Sequence, residues 1–246
     1  MSAPSDQSLP DQSLPDFATR RAEARSALDA LDPAMQADTP DFDPLRREWF
    51  ETVYARAGGD PACVPWANLA PHPLTKDWVD TQARGIVGMS VLDVGCGLGD
   101  NAEYLAAAGA DVVAFDLVAG AVDWAKRRFP ETKVDYLAGD LFSLPAAWMG
   151  RFDLVHECYT LQALTPALLP RALDALAALL APAGRLLIVA RAAGESDDVS
   201  GPPWPLRPSF FEAAQDKLKI LALEDITATA KVGRRHWRAL LAPAHP

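Results

Sequence analysis

Cysteine is scarce: the chain has three, Cys63, Cys96 and Cys158, and none stands in C-x-x-C spacing. An odd, scattered set excludes a disulfide framework and a zinc site, and no metal is expected; the three read as small buried or half-buried side chains. Long apolar runs are missing too. None approaches the roughly 20 residues a membrane-spanning helix needs, so no membrane partner is expected. The opening MSAPSDQSLPDQSLPDF shows neither the basic nor the apolar region of a secretory leader, which makes the cytoplasm the expected location. Positive charge is in deficit. Lys and Arg number 23 against 33 Asp and Glu, a formal net charge of −10. Binding a polyphosphate backbone depends on clustered cations that release counterions, so no nucleic-acid partner is expected. The basic clusters Lys126-Arg127-Arg128 and Arg234-Arg235 are short and read as solvated faces.

What the chain does have is apolar residues, half of its 246, enough for one sizeable core with an appended segment. Residues 1–16, with DQSLP twice, are expected to be a disordered tail. Residues 17–88 are expected to form an N-terminal helical cap and closing loop. Helices are predicted from Phe17 to about Leu31 and from Asp43 to about Arg56, the latter with Trp49, Phe50, Val53 and Tyr54 on its apolar side. A Gly- and Pro-rich loop leads to a helix near Pro73. From Ser90, β and α segments alternate, the signature of a parallel sheet covered on both faces. Strands are predicted at Val91–Val94, Asp111–Phe115, Val134–Ala138, Phe152–Glu157 and Arg185–Ala190, with helices at Asn101–Ala108, Ala119–Phe129 and Pro166–Leu180. Two more candidates, Ile220–Thr229 and His236–Leu241, are joined by a turn. Residues 89–246 thus read as one core domain.

The chemistry is concentrated in Val91-Leu92-Asp93-Val94-Gly95-Cys96-Gly97-Leu98-Gly99-Asp100-Asn101, an apolar strand, three alternating glycines and a helix start. Glycines let a ligand approach bare backbone, and a helix N-terminus offers unpaired N–H groups. Asp116 ends the next strand, about 20 residues on, where a carboxylate suits ribose hydroxyls. A dinucleotide fingerprint would need its third glycine at position 100, which is Asp100; Gly99 completes G-x-G-x-G instead. Gly139-Asp140-Leu141 places an acid and an apolar residue where an adenine can be held, or forms a capped turn.

Together, VLDVGCGLGD, Asp116, AGDL and FDLVHE resemble the class I S-adenosylmethionine-dependent methyltransferases over about residues 90–190. The resemblance implies an α/β, Rossmann-like three-layer sandwich whose seven-stranded, mostly parallel sheet has one antiparallel strand. It implies S-adenosylmethionine as cofactor, with S-adenosylhomocysteine as product. Asp93, Gly95, Cys96, Gly97, Gly99 and Asn101 fall at the methionine end, Asp116 and Leu117 at the ribose, Asp140 and Leu141 at the adenine. A narrower likeness, Cys63-Val64-Pro65-Trp66, Ala70-Pro71-His72-Pro73-Leu74 and the strand ending His156-Glu157-Cys158-Tyr159, is similar to the thiopurine, thiol and halide methyltransferases. It implies that Trp66 closes over the cofactor; strand alternation, with Glu157 on the side opposite His156, separately favours Glu157 near the cofactor. Cys158 stands where that group often has Tyr, and Tyr159 follows one place later.

His156, Glu157 and Tyr159, at the carboxyl end of a strand, are the candidates for contact with the reacting groups. Period-two geometry pairs His156 with Cys158 and Glu157 with Tyr159. His156 reads first as a satisfied core histidine and second as a contact to the reacting groups, Trp49 and Tyr54 read equally as packing or pocket wall, and Trp204 in GPPWP as pocket wall or plain loop. The expected acceptor is a small molecule with a thiol or other soft nucleophile. An N- or O-acceptor, a non-catalytic binding module and, more distantly, a nicotinamide oxidoreductase are the alternatives. A monomer or homodimer is expected.

Overall fold

Val91–Val94 and Leu154–Glu157, in the middle strands, are buried throughout because both faces of the sheet are covered. The computed structural model describes residues 15–29, 31–32, 46–82, 85–199, 201–227 and 232–244. Most of the tail expected over residues 1–16 lies outside these, as do the expected helix start at Asp43 and strand end at Thr229. Among the described residues seven strands form one sheet: β1 (Ser90–Val94), β2 (Asp111–Asp116), β3 (Asp135–Ala138), β4 (Phe152–Cys158), β5 (Leu180–Arg191), β6 (Leu218–Ile226) and β7 (His236–Pro243). Their order is β3-β2-β1-β4-β5-β7-β6. Strand β7 runs antiparallel to both β5 and β6, and the other pairings are parallel. The chain winds outward from β1 in one direction and from β4 in the other, so the crevice for a ligand opens at the carboxyl ends of these two strands.

Helices α3 (Pro73–Thr81), α4 (Asp100–Ala107) and α5 (Ala119–Arg128) cover one face, where Trp78, Leu105 and Val122 pack with Val91, Val112 and Leu154. Helices α6 (Leu169–Leu179) and α7 (Pro208–Ala214) cover the other, with Leu176 and Phe211 against Leu92, Val155 and Ile188. A third cluster joins Tyr54 and Ala57 of α2 (Arg47–Ala57) to Val64, Leu98 and Trp124. Helix α1 (Pro15–Asp29) lies against the turn Pro61–Cys63. No helix among the described residues is long and apolar enough to cross a membrane.

Two boundaries differ from the sequence reading. Ala181–Gly184 was expected to stop a helix before a strand at Arg185, yet α6 ends at Leu179 and β5 begins at Leu180. Leu180 is already extended, and Pro182, with no N–H, leaves a register shift against β4 rather than a loop. The helix expected from Pro166 starts at Leu169 after a 3-10 turn. Helix α7, seven residues long, is too short to show a helical period.

Candidate functional site

The carboxyl ends of the strands open into a cleft of about 570 Å³, a size that suits a small organic ligand. Strand β1 runs into the glycine loop, where Gly95, Gly97 and Gly99 all have positive φ (66°, 53° and 89°). A Cβ at Gly95 would strike the Thr160 side chain, and one at Gly99 would strike the Tyr136 hydroxyl. Gly95, Cys96 and Gly97 line the cleft. Gly99 does not: it opens α4 and lies under Tyr136, so packing rather than ligand approach requires glycine there.

Asp116 faces the same cleft. Its carboxylate accepts the Gly97 N–H at 2.9 Å and the Val118 N–H at 3.0 Å, and burial raises its pKa against these bonds. A carboxylate has about four acceptor sites, which leaves capacity for two hydroxyls. Asp140 accepts the Phe142 N–H at 2.8 Å and pairs with Arg47 at 3.1 Å. Leu117, Leu141 and Phe142 add apolar surface beside it. Arg128, expected on a solvated face, instead clamps the loop: it donates to Leu98 O at 2.5 Å and to both Asp100 oxygens at 2.8 and 3.1 Å. Asn101 lines the cleft while its Oδ1 accepts the His72 N–H at 2.8 Å, tying α3 to α4.

Besides Gly99, four of the expected site residues lie off the cleft lining. Asp93 and His156 are buried beneath it, joined through His156 Nδ1 and Asp93 Oδ1 at 2.6 Å, with His156 Nε2 at 2.9 Å from the Thr75 hydroxyl. This is the satisfied core histidine of the two readings, and it fastens α3 to the sheet. Glu157, fully buried, accepts the Thr160 and Leu161 N–H groups at 3.0 and 3.1 Å, and burial pushes its carboxyl up to about 8. Its work is to hold the turn after β4. The alternation expected there breaks because β4 ends at Cys158 and Tyr159 turns to φ 71°, so Cys158 and Tyr159 both face the cleft. Trp204 lies beside the Arg46 guanidinium, 5.8 Å from its ring centre, while Pro202 and Pro203 reach the cleft.

Trp49, Tyr54 and Trp66 do line it. The Trp66 indole N–H donates to the Tyr54 hydroxyl at 3.0 Å, and Phe50 and Trp49 pack against Trp66 at 5.5 and 5.8 Å. The buried Arg46–Asp32 ion pair backs this wall, with Arg46 4.2 Å over the Trp49 ring. Burial raises the thiols of Cys96 and Cys158, so neither is a thiolate at neutral pH.

The residues missed in the sequence are His72 and His236, which flank Tyr159. The Tyr159 hydroxyl lies 2.9 Å from His72 Nε2 and 2.6 Å from His236 Nε2. Backbone fixes the direction of this chain. The Leu74 N–H donates to His72 Nδ1 at 3.2 Å, which leaves the His72 proton on Nε2. His236 Nδ1 faces the Arg234 carbonyl at 2.7 Å and must donate to it. Hence His72 donates to Tyr159, Tyr159 donates to His236, and both imidazoles are neutral. Burial, with the charges of His236 and His156 adding, holds His72 at about 3; burial and the nearby Arg191 and Arg234 lower His236. Three of the chain's four histidines are thereby accounted for.

Comparison with known proteins matches residues 91–184 to the family described as a methyltransferase domain. The chain is 34% identical over 145 residues to a ubiquinone biosynthesis O-methyltransferase of Bordetella parapertussis, covering 58% of this chain and 56% of that protein. It is 42% identical over 86 residues to the enzyme of that name from Aromatoleum aromaticum, 34% and 36% of the two chains. The chain thus spans about a third to just over half of these relatives' length. Among solved structures, the 1,6-didemethyltoxoflavin-N1-methyltransferase of Burkholderia thailandensis, with S-adenosylhomocysteine bound, superposes at a TM-score of 0.61, with 22% identity over 84% of this chain and 93% of that one. The fold is the Rossmann-like fold of S-adenosylmethionine-dependent methyltransferases.

Proposed function

We propose that the protein is an S-adenosylmethionine-dependent methyltransferase acting on a hydroxyl oxygen of a small molecule. The donor half rests on the methyltransferase domain and on a cleft whose groups fit the cofactor. Gly95–Gly97 present bare backbone for the methionine end, Asp116 has free acceptor sites for the ribose hydroxyls, and Asp140 with Leu141 borders the adenine. Trp66 and Tyr54 close the cleft over it. Bound there, S-adenosylmethionine supplies a methyl group already attached to a good leaving group.

The acceptor half rests on one observation, the Tyr159 hydroxyl held between His72 and His236. A thiol, the acceptor suggested by the Pro-Trp motif, ionises near pH 8.5 and needs little help, whereas a phenol near pH 10 does. A hydroxyl next to Tyr159 can give its proton to the phenol oxygen while the phenol proton moves to His236 Nε2. The acceptor oxygen takes the methyl group as it loses that proton, and no further co-reactant is needed. The names of the curated relatives favour oxygen as well. His156 and Glu157, buried below the cleft, act as supports.

Tyr159→Phe tests the reading. With phenol acceptors kcat should fall by about 100-fold or more, the range for a positioned acid–base group, while cofactor affinity stays within a few-fold and thiol methylation changes little. A phenylalanine variant that keeps its rate on hydroxyl acceptors, or a wild-type protein that prefers thiols, would count against it.

A further inference from the structure

Arginines on the last hairpin fall into two kinds. Arg235 holds Asp225 through Nε at 2.8 Å and Nη2 at 2.6 Å, and Arg238 holds Glu224 at 2.8 and 2.7 Å, both in two-pronged pairs across to β6. Arg234, one residue away, and Arg191 at the end of β5 turn into the cleft, and neither guanidinium has an acceptor among the described residues. Arg191 is half-buried, and its neighbours Arg234 and Arg25 are of its own sign. The carboxylates that line the cleft are committed elsewhere: Asp32 to Arg46, Asp140 to Arg47, Asp100 to Arg128, Asp116 to the Gly97 and Val118 N–H groups, while Asp29 lies 3.9 Å from Arg25. In a chain with ten more acids than bases, two guanidinium groups that line one cleft, Arg191 half-buried and Arg234 exposed at its rim, with no carboxylate among the described residues bound to either, are suited to an anionic ligand.

We propose that Arg191 and Arg234 form a subsite for a carboxylate carried by the methyl acceptor itself. The inference rests on the methyltransferase reading and names the substrate class, a small hydroxy acid such as a hydroxyarenecarboxylate. The guanidinium fork suits a carboxylate's two oxygens. The location suits it too: the pair adjoins His236, the end of the proton chain through Tyr159. Without an anion, Arg191 and Arg234 oppose a positive charge on His236; a carboxylate between them offsets that opposition when the acceptor proton arrives. A neutral phenol would leave the two arginines unpaired.

The test is calorimetric titration of the S-adenosylhomocysteine-saturated protein with mono- and dihydroxybenzoates and with the corresponding neutral benzamides, alongside methyl-transfer rates for each pair. The acids should bind at least tenfold more tightly than the amides and be methylated with higher kcat/KM. Arg191→Gln should erase that preference, Arg191→Lys should retain part of it, and Arg235→Gln, whose side chain is paired on the outer surface, should leave it intact. S-adenosylhomocysteine affinity should be the same in all three variants. Equal affinities for acid and amide, including no measurable binding of either, overturn the proposal. So does an Arg191→Gln protein that keeps the preference but loses cofactor-product affinity, since the arginines would then read the cofactor's own carboxylate. If wild-type protein methylates neutral phenols as fast as acids, the subsite fails and the methyltransferase reading stands. If it does not bind S-adenosylhomocysteine at all, both fail.

Discussion

The two halves of the cleft are built in different ways. The half proposed for the cofactor comes from three successive strand-to-helix loops, at Gly95–Asn101, Asp116–Leu117 and Gly139–Phe142, and its chemistry is largely backbone: positive-φ glycines, helix-start N–H groups and carboxylates steadied by main chain. The half proposed for the acceptor is assembled from the start of α3, the turn after β4, the end of β5 and the start of β7, and its chemistry is side chains touching side chains. The matched methyltransferase family covers residues 91–184, which takes in the first half and stops short of Arg191, Arg234 and His236. Kinship therefore speaks for the donor, and the acceptor has to be argued from hydrogen bonds and charge.

If that division is right, mutations should separate the halves. Asp116→Ala should have the largest effect. It removes the carboxylate for two ribose hydroxyls, each charge-assisted bond contributing about 1.5–3 kcal/mol, so S-adenosylmethionine affinity should fall by roughly 100-fold or more in a calorimetric titration. Binding that survives this change would mean the cleft does not hold a ribose at β2. His156→Ala comes next and strikes the joint between the halves. It leaves the Asp93 carboxylate without its partner and the Thr75 hydroxyl unpaired beneath α3, at a cost of about 2–4 kcal/mol in urea unfolding. His156→Asn, which keeps a donor, should recover part of this. An unchanged midpoint would show that apolar packing alone holds α3.

The same division explains what could be read in the sequence. The loop from Gly95 to Gly99, Asp116 and Asp140 have fixed offsets from strands that announce themselves by apolar runs, so spacing along the chain is spacing in space. Even there Gly99 was misread, since a positive-φ glycine forced by Tyr136 looks the same in sequence as one facing a ligand. Glu157 was placed beside the cofactor by strand alternation, which the left-handed turn at Tyr159 interrupts. His72 was visible only as part of a Pro-rich helix start, and His236 as the first residue of a strand. Nothing local marks residues 72, 159 and 236 as neighbours, because their meeting depends on β7 inserting antiparallel beside β5 and on Asn101 and Thr75 seating α3. Arg128 escapes notice for the opposite reason: a short basic run has the composition of a solvated surface, and only its partners, Leu98 O and Asp100, tell it apart from Arg234, which is exposed.

Acid should separate the halves most gently. His72 titrates near pH 3 when folded against about 6.5 when unfolded, so between those values the unfolded chain holds the extra proton. Stability from this group is complete above pH 6.5 and falls as pH falls toward 3, by up to about 1.4 kcal/mol per pH unit; His236, also lowered, adds in the same direction. Asp116 has the reverse sign: burial raises its pKa, so the folded form takes the proton first and acidification through its range favours folding. The acceptor half should thus be the acid-labile one. Urea unfolding of wild type and His72→Asn at pH 7, 6 and 5 measures the difference. The wild-type midpoint should drop more steeply, because the variant has lost a proton-binding site from its unfolded state only. Parallel slopes would mean that His72 takes up a proton in the folded protein as readily as in the unfolded chain, and that it is not held neutral beside Tyr159.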